Sequence, residues 1–386
     1  MYPTLSQENY FRQACGVSRS TYNWALEHWQ KQYKVGEKPS AYGLKKLFNS
    51  IKKDERPWVY DVTKTASERA FTDLESAFKG FFAKRTKYPT WKKRGQRDSF
   101  YLGDRFKLDG LKIKIPKLGW IRLTEELRLK GRVLSATVSR TVDRWFISIA
   151  VELSETSRTV GESQATVGVD LGITSLATLS TGEKVAPPKA LQQAEKRLKR
   201  AQRILSRRKK GSANRRKAAS RVAKLHYQVK CLRDDFAHKL TTDLVERFGA
   251  IVIEDLNVKG MVKNHCLAKS VSDRSFGEIR RQLTYKAALY GRTIVVADRW
   301  FPSTKTCSEC GFVNKAVVLG IKSWVCPSCG VVHDRDHNAA LNLQHLGIPV
   351  GCRESITPVD DQVRPANLVA QVAEAGMSEG QLCPSS

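Results

Sequence analysis

The sequence has no apolar run approaching the roughly eighteen residues of a membrane span, and no apolar core between Met1 and Arg12 of the kind a secretory signal carries. It is therefore read as a soluble, cytoplasmic protein with no membrane partner. Acid is scarce as well. Only 38 Asp and Glu stand against 67 Lys and Arg, a net charge of +29 over 386 residues. Such an excess repels itself unless a polyanion neutralises it, and nucleic acid is the usual polyanion. Cysteine is sparse and odd in number, nine in all, and four of the nine form two Cys-x-x-Cys pairs. In a reducing compartment that pattern favours metal over disulfides. Apolar residues are not lacking: at 41% they suffice for the cores of two or three domains.

Periodicity divides the chain. Residues 5–93 read as mostly helical, with apolar residues at helical spacing in Glu8–Ala14, Ser20–Gln32 and Thr63–Lys84. The stripe Phe71, Leu74, Phe78, Phe81 and Phe82 is assigned to core. From 97 to 155, short alternating segments separated by Gly, Asp and Pro turns predict a small antiparallel β-barrel whose polar face is rich in Lys and Arg. Residues 156–165 read as a linker. From Thr166 the predicted order is strand (Thr166–Gly172), strand (Ser175–Ser180), strand (Lys184–Ala186), a long helical stretch (Pro188–Phe248) and a buried strand (Gly249–Asp255). A helix (Ser275–Tyr290), a strand (Thr293–Ala297), a cysteine-rich insert and a last helix (Asp336–Leu346) follow. A three-strand meander followed by alternating helices and strands is the element order of an RNase H-like fold, so the fold class is multidomain α+β. Residues 347–386 hold five acids and two bases and read as a disordered tail, which leaves residues 1–346 with a net charge of +32.

Three acids stand where such a fold converges. Asp170 ends the apolar run in Val167-Gly-Val-Asp, Glu254 ends Ala250-Ile-Val-Ile-Glu, and Asp336 opens Asp-His-Asn-Ala-Ala-Leu-Asn. A carboxylate in an apolar strand is costly unless a cation pairs it. Three of them on the first strand, the fourth strand and the last helix can hold two Mg²⁺ that clamp the oxygens of a phosphodiester. Asp255 is the alternative to Glu254, and Asp334 the alternative to Asp336.

Cys307-Ser-Glu-Cys310 and, fifteen residues on, Cys326-Pro-Ser-Cys329 make two knuckles of one tetrahedral cage for a structural Zn²⁺. Gly311 and Gly330 follow the pairs, as zinc ribbons prefer. Cys15, Cys231, Cys266, Cys352 and Cys383 have no such spacing. Residues 196–224 carry fourteen Lys and Arg and no acid. Charge runs are usually solvated faces. This one lies between two strands that supply acids, and Arg207, Arg208, Lys209, Lys210, Arg215, Arg216 and Lys217 are read as gripping a nucleic-acid backbone.

At Val167-Gly-Val-Asp-Leu-Gly, Ile253-Glu-Asp-Leu, the paired Cys-x-x-Cys and Asp334-Arg-Asp-His-Asn-Ala-Ala-Leu-Asn the chain resembles TnpB, the RNA-guided nuclease family of insertion sequences related to type V CRISPR effectors. The resemblance runs over residues 1–346 and includes Tyr2-Pro-Thr, Tyr22-Asn-Trp-Ala-Leu and Tyr88-Pro-Thr-Trp-Lys-Lys. The family carries a short strand before Tyr-Pro-Thr, whereas here Met1 stands immediately before it. The resemblance implies a helical recognition lobe (5–93), a wedge domain that binds the guide scaffold (97–155, with the extreme N-terminus), and a RuvC-like nuclease domain (166–346) with an embedded zinc ribbon (303–332). It matches Asp170, Glu254 and Asp336 to the catalytic acids, and Cys307, Cys310, Cys326 and Cys329 to the zinc ligands. Implied partners are a guide RNA and target double-stranded DNA with a short adjacent motif, met by a monomeric ribonucleoprotein at the nucleoid. The protein would read that motif, and Lys64, Ser67 and Arg69 are its candidate readers, on a helix face opposite the phenylalanine stripe. Alternatives are a nuclease-inactive RNA-guided DNA-binding repressor, a zinc-ribbon RNA-binding structural protein and a DNA-strand transferase.

Overall fold

The computed structural model describes residues 1–153 and 165–347, apart from 104, 130 and 319. The expected linker, but for residue 165, and the expected tail, but for residue 347, lie outside the described residues, as do Cys352 and Cys383. The described residues fall into two compact units, 1–153 and 165–347. Among the described residues no helix is long and apolar enough to cross a membrane.

The first unit begins with α1 (Leu5–Lys34), α2 (Ala41–Glu55), a 3₁₀ turn (Pro57–Asp61) and α3 (Thr65–Phe82). Thr4 opens α1 with a capping box: its hydroxyl accepts from the Gln7 amide while the Gln7 side chain accepts from the Thr4 amide. Two amphipathic stretches expected in this region are one continuous helix. Val17 and Ser18, which lie between them, are buried and carry the helix through. Six strands follow: β1 (Ser99–Leu102), β2 (Lys107–Asp109), β3 (Lys112–Ile115), β4 (Gly119–Arg122), β5 (Arg132–Thr141) and β6 (Arg144–Glu152).

The strands are antiparallel as expected, but their hydrogen bonds make two three-stranded sheets, β1-β5-β6 and β2-β3-β4, instead of one closed barrel. Helices and strands share one core, in which Phe11, Trp24, Phe48, Phe71 and Leu74 join Phe100, Ile113, Ile121, Val138 and Trp145. The N-terminus belongs to this unit too, since the Met1 amine donates to Trp145 O and the Tyr2 amide to Arg122 O. Of the phenylalanine stripe, Phe71, Leu74 and Phe78 are buried, whereas Phe82 stays 59% exposed. The stripe outruns the core by about one turn.

The second unit starts with β7 (Thr166–Asp170), β8 (Ala177–Leu179) and β9 (Lys184–Val185), and continues through α4 (Ala190–Ser206), α5 (Ala213–Arg247) and β10 (Ala250–Glu254). Next come α6 (Val258–Lys263), α7 (Ala268–Arg274), α8 (Phe276–Tyr290), β11 (Thr293–Ala297), the hairpin β12 (Ser323–Val325) and β13 (Val332–Asp334), and α9 (Arg335–Gly347). The strands of its five-stranded sheet run β11-β10-β7-β8-β9, with β10 parallel to both β7 and β11 and the meander antiparallel. A core of Val167, Val169, Ile251 and Ile253 with Leu244, Phe276, Ile279 and Leu283 covers one face. The helical stretch expected between β9 and β10 is a hairpin of two helices. It breaks at 207–212, where the Arg215 guanidinium donates to Leu205 O and Arg208 O and the Ser212 hydroxyl caps α5.

Candidate active site

Alternation along a strand decides where the acids point. Val167, Val169, Ile251 and Ile253 face the large core, so Gly168, Asp170, Val252 and Glu254 face the other side. That side is covered by α9, with Leu343 packed on Val252 and Ala297. Gly168 makes the fit possible: a Cβ there would overlap the Ala340 carbonyl and the Gln344 amide. With the backbones that close, Asp336, one turn before Ala340, comes to the end of β7. Parallel pairing sets Ile253 beside Val169 and Glu254 beside Ala297, so Asp170 and Glu254 end adjacent strands. The C-terminal edge of a parallel sheet is where α/β folds place their ligands.

The three acids interact there. Burial pushes the Asp170 carboxyl up to about 8, and the neighbouring charges of Glu254 and Asp336 add to the rise, against a smaller opposing pull from Arg335. Glu254 accepts a hydrogen bond from the Ser303 hydroxyl at 2.5 Å. Asp336 accepts from the Arg335 side chain next to it, at 2.8 and 3.0 Å.

The two alternative acids are otherwise engaged. Asp255 is clamped by the guanidinium groups of Arg280 and Arg299, which hold its carboxyl below the usual range despite some opposing burial. Asp334 pairs with Lys184 at 2.7 Å and accepts the His337 amide at 3.0 Å, so it caps α9. Its carboxyl also lies below the ordinary range, because the hydrogen bonds from Lys184 and the helix N-terminus outweigh its burial.

Beyond β11 the chain enters the cysteine insert. The sulfurs of Cys307, Cys310, Cys326 and Cys329 all lie within 4.8 Å of one another. Two equivalent turns build this arrangement: the Gly311 amide donates to Cys307 O and Gly330 to Cys326 O, both at 2.9 Å. Both glycines have left-handed φ values, +75° and +76°, which explains a glycine after each pair. His333 sits against Cys307 Sγ at 3.1 Å and is buried beside Trp324. Four soft sulfurs in a closed group suit a tetrahedral Zn²⁺, and three hard carboxylates at an open strand edge suit Mg²⁺.

Three residues the sequence did not single out tie the two clusters together. Asn338 and Asn342, one turn apart on α9 and both buried, donate to the carbonyls of Ser303 and Thr306. Asn338 also accepts the Ser308 amide at 3.0 Å. The available signal was two asparagines within the otherwise apolar Asn-Ala-Ala-Leu-Asn run. Nothing in sequence marked Ser303.

Among the basic candidates Arg207, Arg208, Lys209, Lys210, Arg216 and Lys217 are exposed at and just beyond the tip of the α4–α5 hairpin. Arg215 is not free for a backbone phosphate, because its guanidinium holds the end of α4. In the first unit Lys64 and Arg69 are exposed, with Arg69 paired to Asp73 and set over the Tyr101 ring. Ser67 is buried at 5% exposure and donates to Lys64 O, so it does not belong to an open reading face. The helix turns it inward beside Ala66 and Ala70.

Known proteins resemble this chain in sequence and in fold. A family model described as a probable transposase (OrfB_IS605) covers residues 148–265, a Cas12f1-like TNB domain covers 276–343, and a helix-turn-helix domain covers 1–38. A protein of Streptomyces pristinaespiralis that carries the provisional name RNA-guided DNA endonuclease is 39% identical over 372 residues, spanning 94% of this chain and 92% of that one. Escherichia coli K12 InsQ, provisionally named in the same way, is 34% identical over 92% of each chain. Among solved structures, a Cas12f1–sgRNA–target DNA complex aligns with a TM-score of 0.56 at 14% identity over 86% of this chain and 82% of that one, a likeness of α+β fold. The chain belongs to the TnpB family.

Proposed function

We propose that this protein is an RNA-guided DNA endonuclease that hydrolyses phosphodiester bonds with two Mg²⁺ held by Asp170, Glu254 and Asp336. The observation that carries the reading is the convergence of three carboxylates at the sheet edge, close enough that burial and mutual repulsion push Asp170 up to about 8. Such a cluster is unfavourable by itself and becomes favourable around a divalent cation. Bound there, the ions would neutralise the carboxylates and stabilise charge on the attacking and leaving oxygens. The chain's own part is geometric. β7 and β10 fix Asp170 and Glu254 on one face, α9 brings Asp336 to them, and Asp255 and Asp334 are kept apart by their own basic partners. The strand order β9-β8-β7-β10-β11 supports an RNase H-like, RuvC-type domain.

Cys307, Cys310, Cys326 and Cys329 would hold one structural Zn²⁺, with the His333 ring against Cys307 Sγ. The substrate reading follows from the relatives' names and the charge of +29. A guide RNA pairs with target DNA, and the exposed cations at the α4–α5 tip hold a backbone. The test is to purify the protein with its RNA, sequence that RNA, and assay a plasmid carrying the matching target. Cleavage in Mg²⁺ that stops with EDTA or with Glu254→Gln supports the reading. Target binding with no cleavage by the wild type would support the repressor instead.

A further inference from the structure

Among the described residues, Glu254 is the only one of the three acids held by a neutral hydroxyl, and that hydroxyl comes from the start of the cysteine insert. Ser303 is 3% exposed and stands four residues before Cys307. Its Oγ lies 2.5 Å from Glu254 Oε1, in the range of a hydroxyl donating to a carboxylate. A glutamate at a strand end has three side-chain torsions to restrain. One strong hydrogen bond to Oε1 restrains them, and among the described residues Oε2 has no hydrogen-bond partner.

The donor's chemistry matters. Asp255, one residue on, is held by two guanidinium groups, and Asp334 by an ammonium, and in both cases the partner cancels the charge that would draw a cation. A serine orients the carboxylate without neutralising it. The serine is itself fixed. Asn342 Nδ2 donates to Ser303 O and to Thr306 O, both at 2.7 Å, Asn338 Nδ2 donates to Thr306 O at 2.7 Å, and Asn338 Oδ1 takes the Ser308 amide. Both amides are buried, so each unmade bond would leave a desolvated polar group, which keeps the network in one arrangement.

We propose that Ser303 is a positioning residue for Glu254, held in register by Asn338 and Asn342, so that the segment entering the cysteine insert aims a catalytic carboxylate at its cation. This rests on the reading of Glu254 as a cation ligand, and it gives the insert a task beyond stability: it anchors the far end of the segment that carries Ser303.

The test uses the full-length protein and Mn²⁺, whose binding is followed by electron paramagnetic resonance without any cleavage step. Ser303→Ala should weaken Mn²⁺ binding by roughly 10–100-fold, the usual cost of removing a hydrogen bond to a ligand, with zinc content unchanged. To separate the hydroxyl from packing, Ser303→Thr and Ser303→Val are compared. They share one shape, and the threonine should bind Mn²⁺ at least tenfold more tightly than the valine, on the same scale. Cleavage by each variant should follow its Mn²⁺ affinity and be rescued by raising the cation concentration. Equal affinity of the threonine and valine variants would overturn the proposal, whether or not the wild type cuts DNA. A wild type that binds Mn²⁺ with Ser303 dependence but never cuts RNA-matched DNA would overturn the nuclease reading and leave the role of Ser303 standing.

Discussion

The carboxylate cluster and the cysteine cluster lie in the same unit, and each gathers ligands whose charged forms would repel one another without a cation. They differ in closure. The four thiols come from two equivalent turns and lie within 4.8 Å of one another, with Cys307 and Cys326 buried. The three carboxylates project from two strands and a helix at an open edge, and each keeps part of its surface exposed. A closed donor set leaves no position for a substrate, whereas an open one does. Under the proposed function, the contrast separates a centre that shapes the chain from one that performs chemistry on a substrate.

The largest effect expected from breaking that contrast is at the open site. Asp170→Asn, Glu254→Gln or Asp336→Asn should each reduce cleavage to background while guide-RNA and target affinities, read by filter binding, stay within about twofold, because cation clamping acts in the transition state. Breaking the closed site should cost less and act indirectly. Cys326→Ser should release the zinc, read by elemental analysis, and lower cleavage by about 10–100-fold by freeing the segment that carries Ser303. If zinc is lost and cleavage is unchanged, the two centres are independent.

Neutralising Arg207, Arg208, Lys209 and Lys210 together should weaken binding at every sequence and flatten the salt dependence by up to about 0.9 for each duplex phosphate no longer neutralised. Equal slopes would return the hairpin tip to a solvated surface. A smaller effect is expected in the stability of the cation-free protein. The folded-state value of Asp170 lies above its ordinary one, near 8 against 3.8, so between them the native state holds the proton more tightly than the unfolded chain. Stability should therefore fall as pH rises through that window. In EDTA, Asp170→Asn should melt a few degrees above wild type at about pH 8 and level with it near pH 4. Identical melting curves at both pH values would show that neither burial nor the neighbouring carboxylates disfavour the Asp170 charge.

Much of this was legible in sequence. Strands buried on both faces read as continuous apolar runs, so β7 and β10 and the acids ending them stood out, and paired Cys-x-x-Cys with a following glycine named the second cluster. Long-range partnerships were not legible. Asp255 and Asp334 are runners-up to their neighbours in sequence, and nothing there shows the partners that engage them, Arg280, Arg299 and Lys184, all distant along the chain. The break between α4 and α5 depends on Arg215 reaching back over ten residues to Leu205 O, which looked like one more cation in a basic run. Ser303 is ordinary in sequence and acquires meaning only from the Glu254 carboxylate against it.

The sharpest test of the central claim compares Asp336, in the first turn of α9, with Asp334, which caps that helix. Asp336→Ala and Asp334→Ala should be assayed side by side, loaded with the same RNA, on the same Mg²⁺-containing target. Asp334→Ala should lose about 1 kcal/mol of stability with its helix cap and still cut, whereas Asp336→Ala should fold and not cut. Cleavage by Asp336→Ala with none by a folded Asp334→Ala would contradict the assignment of the site.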